Sequence, residues 1–284
     1  MIKKQAYVFL CVLLCVAMIF VDIKPLMEPE ELPINCADFA WNPINTPLVF
    51  TTLSPEQAKA KTYFHKQQMK RQIVSMDTNA KHFFQRNWEP SYTCTAIGRM
   101  GCPGDGGKWV CDPHHFLRLN SCVVYSVGSN NEFSFEEAIH LFNPKCEIHT
   151  FDPLTSPPDR KPEFVHFHPW RLGSHDSYLE STFTIQTIMH HLGHTNITIL
   201  KADCEGCELD SFSIPSFPPA KGAIQQILVE VHFDGQPEHV HNFFNFLSSR
   251  GYAIFSKEPN IQYSNGKAVE FSLVYLGTEL GKKN

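Results

Sequence analysis

What this sequence lacks narrows it faster than what it contains. Its 284 residues hold no internal repeat and no low-complexity tract, which sets aside solenoids, propellers and extended tails. Positive charge is not in excess: 24 Lys and Arg face 29 Asp and Glu, a formal net of −5, so there is no electrostatic footprint for nucleic acid. There is no Walker phosphate loop, because Lys108 is not followed by Ser or Thr and no strand precedes it. His190, His191 and His194 lack the Glu that a zinc-protease helix sets between its ligands, and the cysteine spacings match no zinc finger or ribbon. Histidines near a helix C-terminus need no metal. None is expected here. Ten cysteines are too few to build a disulfide miniprotein, yet too many to pass over.

Long apolar runs are equally scarce, and the one present runs from Tyr7 to Val21. Lys3 and Lys4 precede it, and Asp22, Glu28, Glu30 and Glu31 follow. That asymmetry favours a cytoplasmic N-terminus and a lumenal body. A span this short suits the thinner membranes of the early secretory pathway. Residues 1–24 are therefore read as an uncleaved type II signal-anchor in the Golgi or secretory pathway. The alternative is a secreted protein, cleaved near Cys15-Val-Ala17. Proline-rich residues 25–53 read as a stem. Residues 54–120 form an extension. Ser54-Pro-Glu-Gln57 opens a helix expected to reach about Met76, and a second helix covers Asn79 to Trp88. Four glycines between Gly101 and Gly107 precede Trp109, so this segment reads either as a ligand-closing loop or as a turn stapled by a disulfide. In a lumenal body Cys94, Cys102, Cys111, Cys122 and Cys146 are candidates for oxidation, whereas Cys204 and Cys207 are expected to be packing residues.

The remaining residues, 121–284, read as one α/β domain organised around Cys122 to Pro153. A β-branched strand, Cys122 to Val127, stops at the turn Gly128-Ser-Asn-Asn131. Phe133, Phe135, Ala138, Ile139 and Phe142 recur at helical spacing, and Asn143-Pro144 ends that helix. A second strand, Glu147 to Phe151, ends at Asp152. This is the first half of a nucleotide-binding sheet, or else an ordinary βαβ unit in which Asp152 caps a loop. Further along come a strand at Phe164–His168, a helix over about Ser177–Leu192, and the strand of Ile197 to Asp203. Asn196-Ile-Thr198 is a glycosylation sequon. Another strand, Ile224 to Val231, brings Glu230 and His232 to the edge where Gly128, Asp152 and Asp203 lie.

Leu200-Lys-Ala-Asp-Cys-Glu-Gly-Cys-Glu208, with Thr150-Phe-Asp-Pro153 and Glu230-Val-His232, resembles the signature of FkbM-type S-adenosylmethionine-dependent methyltransferases. From Gly104 to Leu276 the chain resembles the methyltransferase-like protein 24 family more closely, through Asp105-Gly-Gly-Lys-Trp-Val-Cys111, Val124 to Asn131 and Ser256-Lys-Glu-Pro-Asn260. The resemblance implies a class I, Rossmann-like methyltransferase fold, in which a seven-stranded, mainly parallel sheet ends in an antiparallel hairpin. Tyr252 to Ser256 and Ala268 to Leu276, about an Asn265-Gly266 turn, fit that hairpin. One departure stands out: Ser126 occupies the place of the usual acid, and Asn130 that of the second glycine.

The resemblance also assigns roles. Gly128, Ser129 and Asn130 would hold S-adenosylmethionine along its methionine part, and Asp152 its ribose; a side chain at Gly128 would fill space the cofactor needs. Asp203, Glu230 and His232 would face the acceptor, with His232 or Asp203 as general base. Glu205 and Glu208 have a structural alternative as caps of the following helix. The acceptor would be a small molecule, glycan or lipid, and membrane contact would come through the N-terminal anchor. Two other readings stay open: a non-catalytic scaffold on the same fold, and a lumenal glycosyltransferase using Asp203-Cys-Glu205.

Overall fold

The computed structural model describes residues 49–70, 74–103, 106–117, 121–153, 161–260, 264 and 266–277. All of them fall in one compact unit. The expected signal-anchor, most of the stem, Gly104, Asp105 and Asn265 lie outside the described residues. Among the described residues no helix is long and apolar enough to cross a membrane.

The extension carries a sheet that its composition conceals. Strand β1 (Val49–Thr52) falls at the end of the expected stem and pairs antiparallel with β2 (Ala96–Met100), which pairs in turn with β3 (Lys108–Cys111). Between β1 and β2, helix α1 (Pro55–Met69) starts on a capping box: Ser54 Oγ accepts from Gln57 N, and Gln57 Oε1 accepts from Ser54 N. It ends before the expected Met76. Asn87 offers the reason, since its side chain binds both backbone groups of Ser75 and holds that residue in extended chain. Helix α2 (Ala80–Arg86) is capped by Asn79 and buries Phe83 and Phe84, which meet Phe233 edge-on or tilted. A disulfide between Cys94 and Cys111 clips β3 beside the start of β2, and Cys102 is disulfide-bonded as well. The single turn α3 (Pro113–Phe116) leads into the main domain.

Strand β4 (Val123–Val127) is buried along its whole length. Helix α4 (Ser134–Phe142) turns Phe135, Ala138 and Ile139 inward, as the apolar spacing requires, and β5 (Glu147–Phe151) returns parallel to β4. Cys122 and Cys146 join the starts of these two strands. Strand β6 (Val165–His168) extends the sheet, and the short strands β7 (Arg171–Leu172) and β8 (Thr182–Phe183) pair with each other beyond it. The helix expected from Ser177 is shorter than that. Ser181 takes a left-handed conformation (φ 50°) that breaks any earlier start, and α5 (Ile185–Leu192) begins only at the Thr184 cap.

Strand β9 (Ile197–Ala202), the short helix α6 (Cys207–Ser211), β10 (Ile224–His232), α7 (Pro237–Ser249) and the hairpin β11 (Tyr252–Pro259) and β12 (Ala268–Tyr275) complete the domain. The seven strands stand in the order β11-β12-β10-β9-β4-β5-β6; β12 is antiparallel to both neighbours and the other pairings are parallel. The order reverses between β4 and β9, so a crevice opens there beyond the carboxyl ends of the strands. This is the class I, Rossmann-like sheet that was expected.

Candidate cofactor and acceptor site

Each strand that borders the crevice delivers one of the anticipated residues. After β4 the chain turns at Gly128 (φ 76°), and Asn130 (φ 43°) and Asn131 (φ 63°) continue in left-handed conformations that asparagine tolerates. A Cβ on Gly128 would lie 1.7 Å from the Asp203 carbonyl oxygen. That corrects the reason for the glycine: the space belongs to the neighbouring strand end, so the requirement is one of folding. Asp152, at the end of β5, turns one oxygen back onto the turn. Its Oδ2 accepts from Ser129 N at 2.9 Å, Asn130 N at 3.1 Å and Ser129 Oγ at 3.1 Å. Lys201 fastens the other side, donating from Nζ to the Gly128 carbonyl at 2.7 Å.

The strand before the turn and the helix after it carry buried polar atoms. Ser126 Oγ and Glu136 Oε2 are buried and have no hydrogen-bond partner among the described residues. Burial, with some help from the charge on Glu136, pushes Glu132 up to about 7. A glycine turn tied down by Asp152 and Lys201, with unsatisfied polar atoms on its flanking strand and helix, fits a polar cofactor such as S-adenosylmethionine.

On the opposite side of the crevice a buried ion network forms. Lys108, on β3, reaches Asp203 Oδ2 at 3.2 Å and makes a short contact to Glu270 on β12. Burial works against its ammonium, but Glu270 and Asp203 outweigh that and hold it protonated, above its ordinary value. For Asp203, burial favours the neutral acid, yet Lys108 and Lys201 keep its carboxyl well below the usual range. Glu230 goes the other way: burial, then the charges of Asp203 and Glu270, push it up to about 8. Asn260 Nδ2 donates to Glu230 Oε1 at 2.8 Å and fixes its orientation.

His232 faces carboxylates on every side. Its Nδ1 lies 3.1 Å from Glu208, and its Nε2 lies 3.3 Å from Glu205 and 3.7 Å from Glu230. Burial opposes its charge, but the bond to Glu208 and the surrounding acids push the imidazole up to about 9. At neutral pH it is an imidazolium, which cannot accept a proton, and Asp203 is too acidic to be an effective base. The base role expected of these two therefore does not match their charge states. Glu230, at about 8, lies nearest neutrality of the three, and its carboxylate form is the stronger base.

Glu208 is fully buried and accepts from the backbone N–H groups of His232 and Gly206, the structural role considered for it. Cys204 and Cys207 are not free packing thiols but are bonded to each other across the tight turn. Trp109 does not close over the crevice as a lid; its Nε1 donates to Glu258 at 2.7 Å under the Arg99 guanidinium.

A methyltransferase-domain family model matches residues 52–275, four-fifths of the chain, from β1 to the end of β12. The chain belongs to this methyltransferase family. Two curated relatives are similar over parts of their length. "Probable methyltransferase-like protein 24" of Rattus norvegicus is 24% identical over 177 residues, covering 56% of this chain and 48% of the relative. The Homo sapiens protein of the same name is 25% identical over 127 residues, covering 42% and 34%. The chain thus spans about half, or less, of the curated relatives it matches. Among solved structures, a fibrillarin/Nop5p complex has a TM-score of 0.38 at 10% identity, covering 55% of this chain and 73% of that one. Methanococcus jannaschii fibrillarin pre-rRNA processing protein also scores 0.38, at 8% identity, with 64% and 90% covered. Precorrin-6y C5,15-methyltransferase from Geobacter metallireducens scores 0.31 at 10% identity, with 57% and 84% covered. Scores this low carry no argument. The strand order supports the fold by itself.

Within this methyltransferase domain, three residues of the crevice were not anticipated as site residues: Lys108, Lys201 and Glu270. Lys201 stands in the resembling signature and Lys108 in the Asp-Gly-Gly-Lys run, so both lay in motifs already singled out. Glu270 sits in an ordinary strand pattern, with no local signal to find it by.

Proposed function

We propose that this domain transfers a methyl group from S-adenosylmethionine to an oxygen or nitrogen nucleophile of a small-molecule, glycan or lipid acceptor. The observation that carries the reading is the tie of the Gly128–Asn130 turn to Asp152 beside the strand-order reversal, since a turn held rigid before binding is what a cofactor cradle needs. Gly128, Ser129 and Asn130 would line the methionine part, and Asp152 would face the ribose hydroxyls. When bound, the cofactor supplies a sulfonium methyl with a good leaving group, so the protein has chiefly to align the acceptor.

The proton lost by the acceptor then needs a destination. Glu230 is suited to take it in its carboxylate form, the minor form at pH 7, which grows as pH rises towards 8. His232, held as a cation by Glu208, would orient the acceptor or stabilise negative charge on it. The disulfides Cys94–Cys111, Cys122–Cys146 and Cys204–Cys207, with Cys102 bonded as well, support a body in an oxidising compartment, in keeping with a secretory-pathway acceptor. The scaffold reading has one observation in its favour: Lys108 already neutralises the acceptor side without any ligand.

Calorimetry with S-adenosylmethionine on the full chain tests the proposal. The unsubstituted protein should bind. Asp152→Asn, which keeps an acceptor for the turn but removes the charge, should weaken binding by about 1–2 kcal/mol, the difference between a charged and a neutral hydrogen-bond partner. Glu230→Gln should leave binding intact and slow turnover. Absence of binding at millimolar cofactor would leave the scaffold reading in its place.

A further inference from the structure

We propose that Glu147, His149 and His194 form a second, separate site, which binds a borderline divalent cation of the zinc class. Glu147 is the first residue of β5 and His149 points to the same face two residues on, while His194 stands in the turn after α5. The site is therefore at the opposite end of the strand from Asp152, about 16 Å away at roughly 3.3 Å per residue.

The case is geometric. Both imidazoles turn Nε2 onto the same carboxylate oxygen: Glu147 Oε1 lies 2.9 Å from His149 Nε2 and 3.3 Å from His194 Nε2. All three ligand atoms lie within 4.8 Å of one another. A tetrahedral zinc with bonds of about 2.0–2.1 Å sets its ligand atoms roughly 3.3–3.4 Å apart, so small adjustments would seat the ion. Each imidazole is also steadied through its other nitrogen. His149 Nδ1 lies 2.8 Å from His168 Nε2, and His194 Nδ1 lies 2.7 Å from the Tyr125 hydroxyl. In the ion-free site the Glu147 carboxylate accepts from Nε2–H; an ion would take the place of that proton, with each Nδ1–H donating outward and each Nε2 lone pair facing the metal, the arrangement that metal-binding histidines adopt. The two rings are nearly buried, whereas the Glu147 side chain is about half exposed, so the fourth position opens to water.

Other metal-like groupings among the described residues are spoken for. In two of them the cysteines are bonded to each other, Cys94 to Cys111 and Cys204 to Cys207. The third, Asp203 with Glu230 and His232, belongs to the crevice and has Lys108 as its cation. Only the Glu147 grouping offers two imidazoles and a carboxylate with no resident positive side chain bonded to them. Set there, the ion clamps the start of β5 to the turn between α5 and β9. The inference does not rest on the methyl-transfer reading, and its test uses no methyl donor.

The full chain, stripped with a chelator, would be titrated with Zn2+ by calorimetry and with Co2+ by visible absorption. One zinc per chain is expected, with the ligand-field bands of four-coordinate cobalt and a higher melting temperature on loading. Glu147→Gln and His194→Gln should each weaken binding at least about 100-fold and abolish the zinc-dependent rise in melting temperature. If His194→Gln does not fold, Tyr125→Phe decides, since loss of an outer hydrogen bond should weaken binding about 10–100-fold. No retained zinc, or zinc bound equally well by Glu147→Gln and the second variant, overturns the proposal.

Discussion

Replacing Lys108 by methionine is the sharpest test of the physical picture of the crevice. Its side chain is 2% exposed and lies between Asp203 and Glu270, with Glu230 nearby. Methionine nearly fills the volume but leaves carboxylates facing one another out of water. Breaking a buried ion pair on one side costs about 3–5 kcal/mol. At roughly 2–4 °C per kcal/mol for a domain of this size, the melting temperature should fall by about 6–20 °C at pH 7. The loss should shrink on acidification. In the unsubstituted protein Asp203 is held below its ordinary range, so it contributes stability above that range and loses it as pH falls through the lowered value. Without the Lys108 ammonium, Asp203 keeps only Lys201 as a counter-charge against burial and Glu270 loses its own, so both carboxyls bind protons more readily and the deficit relative to the unsubstituted protein narrows as pH falls towards 5. Lys108→Met/Glu270→Gln should recover part of the loss, because the second change removes one of the buried charges that Lys108 balanced. Thermal unfolding followed by circular dichroism between pH 5 and pH 8 supplies the data. A loss below about 1 kcal/mol, unchanged across that range, would refute the reasoning.

Three further outcomes are expected. Gly128→Ala should destabilise the fold by at least about 2 kcal/mol, since a left-handed backbone alone costs about 1–2 kcal/mol and the 1.7 Å approach to Asp203 adds to it; an unchanged melt would count against the close packing of the two turns. Stability should decline as pH rises from 7 to 9, because Glu230 and His232 both lie above their ordinary values and lose their protonated-state contribution as pH passes about 8 and about 9; Glu230→Gln/His232→Gln should flatten that decline in a pH series of urea midpoints. Cys122→Ser/Cys146→Ser should cost about 3 kcal/mol, the chain-entropy value for a loop closed over a separation of 24 residues, and thiol titration of the denatured, unreduced protein should find Cys122 and Cys146 blocked in the unsubstituted chain.

The parts legible in the sequence were those with strong local signals. Val123 to Val127 is rich in β-branched residues, broken only by Ser126, and runs into a glycine, so strand and turn could be placed together, with Asp152 following at the end of the next strand. Strands β1 to β3 were not legible. They are short, lie among prolines and glycines, and are fixed by pairing and by the Cys94–Cys111 bond more than by any period of their own. The helix drawn from Ser177 failed because apolar spacing does not report a left-handed residue at Ser181. In the crevice, residue identities were accessible but charge states were not. Whether His232 is a base or a fixed cation depends on Glu205, Glu208 and Glu230 converging on it, and only tertiary structure reveals that.

The contact between Lys108 and Glu270 spans 162 positions of sequence. A ribosome adding about 5–20 residues per second therefore makes the lysine roughly 8–32 s before its partner exists. Throughout that interval the growing chain holds β3 and later β9, but not the strand that neutralises the cation lodged between them. A nascent chain halted before β12 could pair its parallel strands and form both the Cys94–Cys111 and Cys122–Cys146 bonds, yet its crevice would stay electrostatically incomplete. The last strand described in the sheet thus decides whether the earliest part of the crevice becomes a site, which places completion of the site late in the synthesis of this domain.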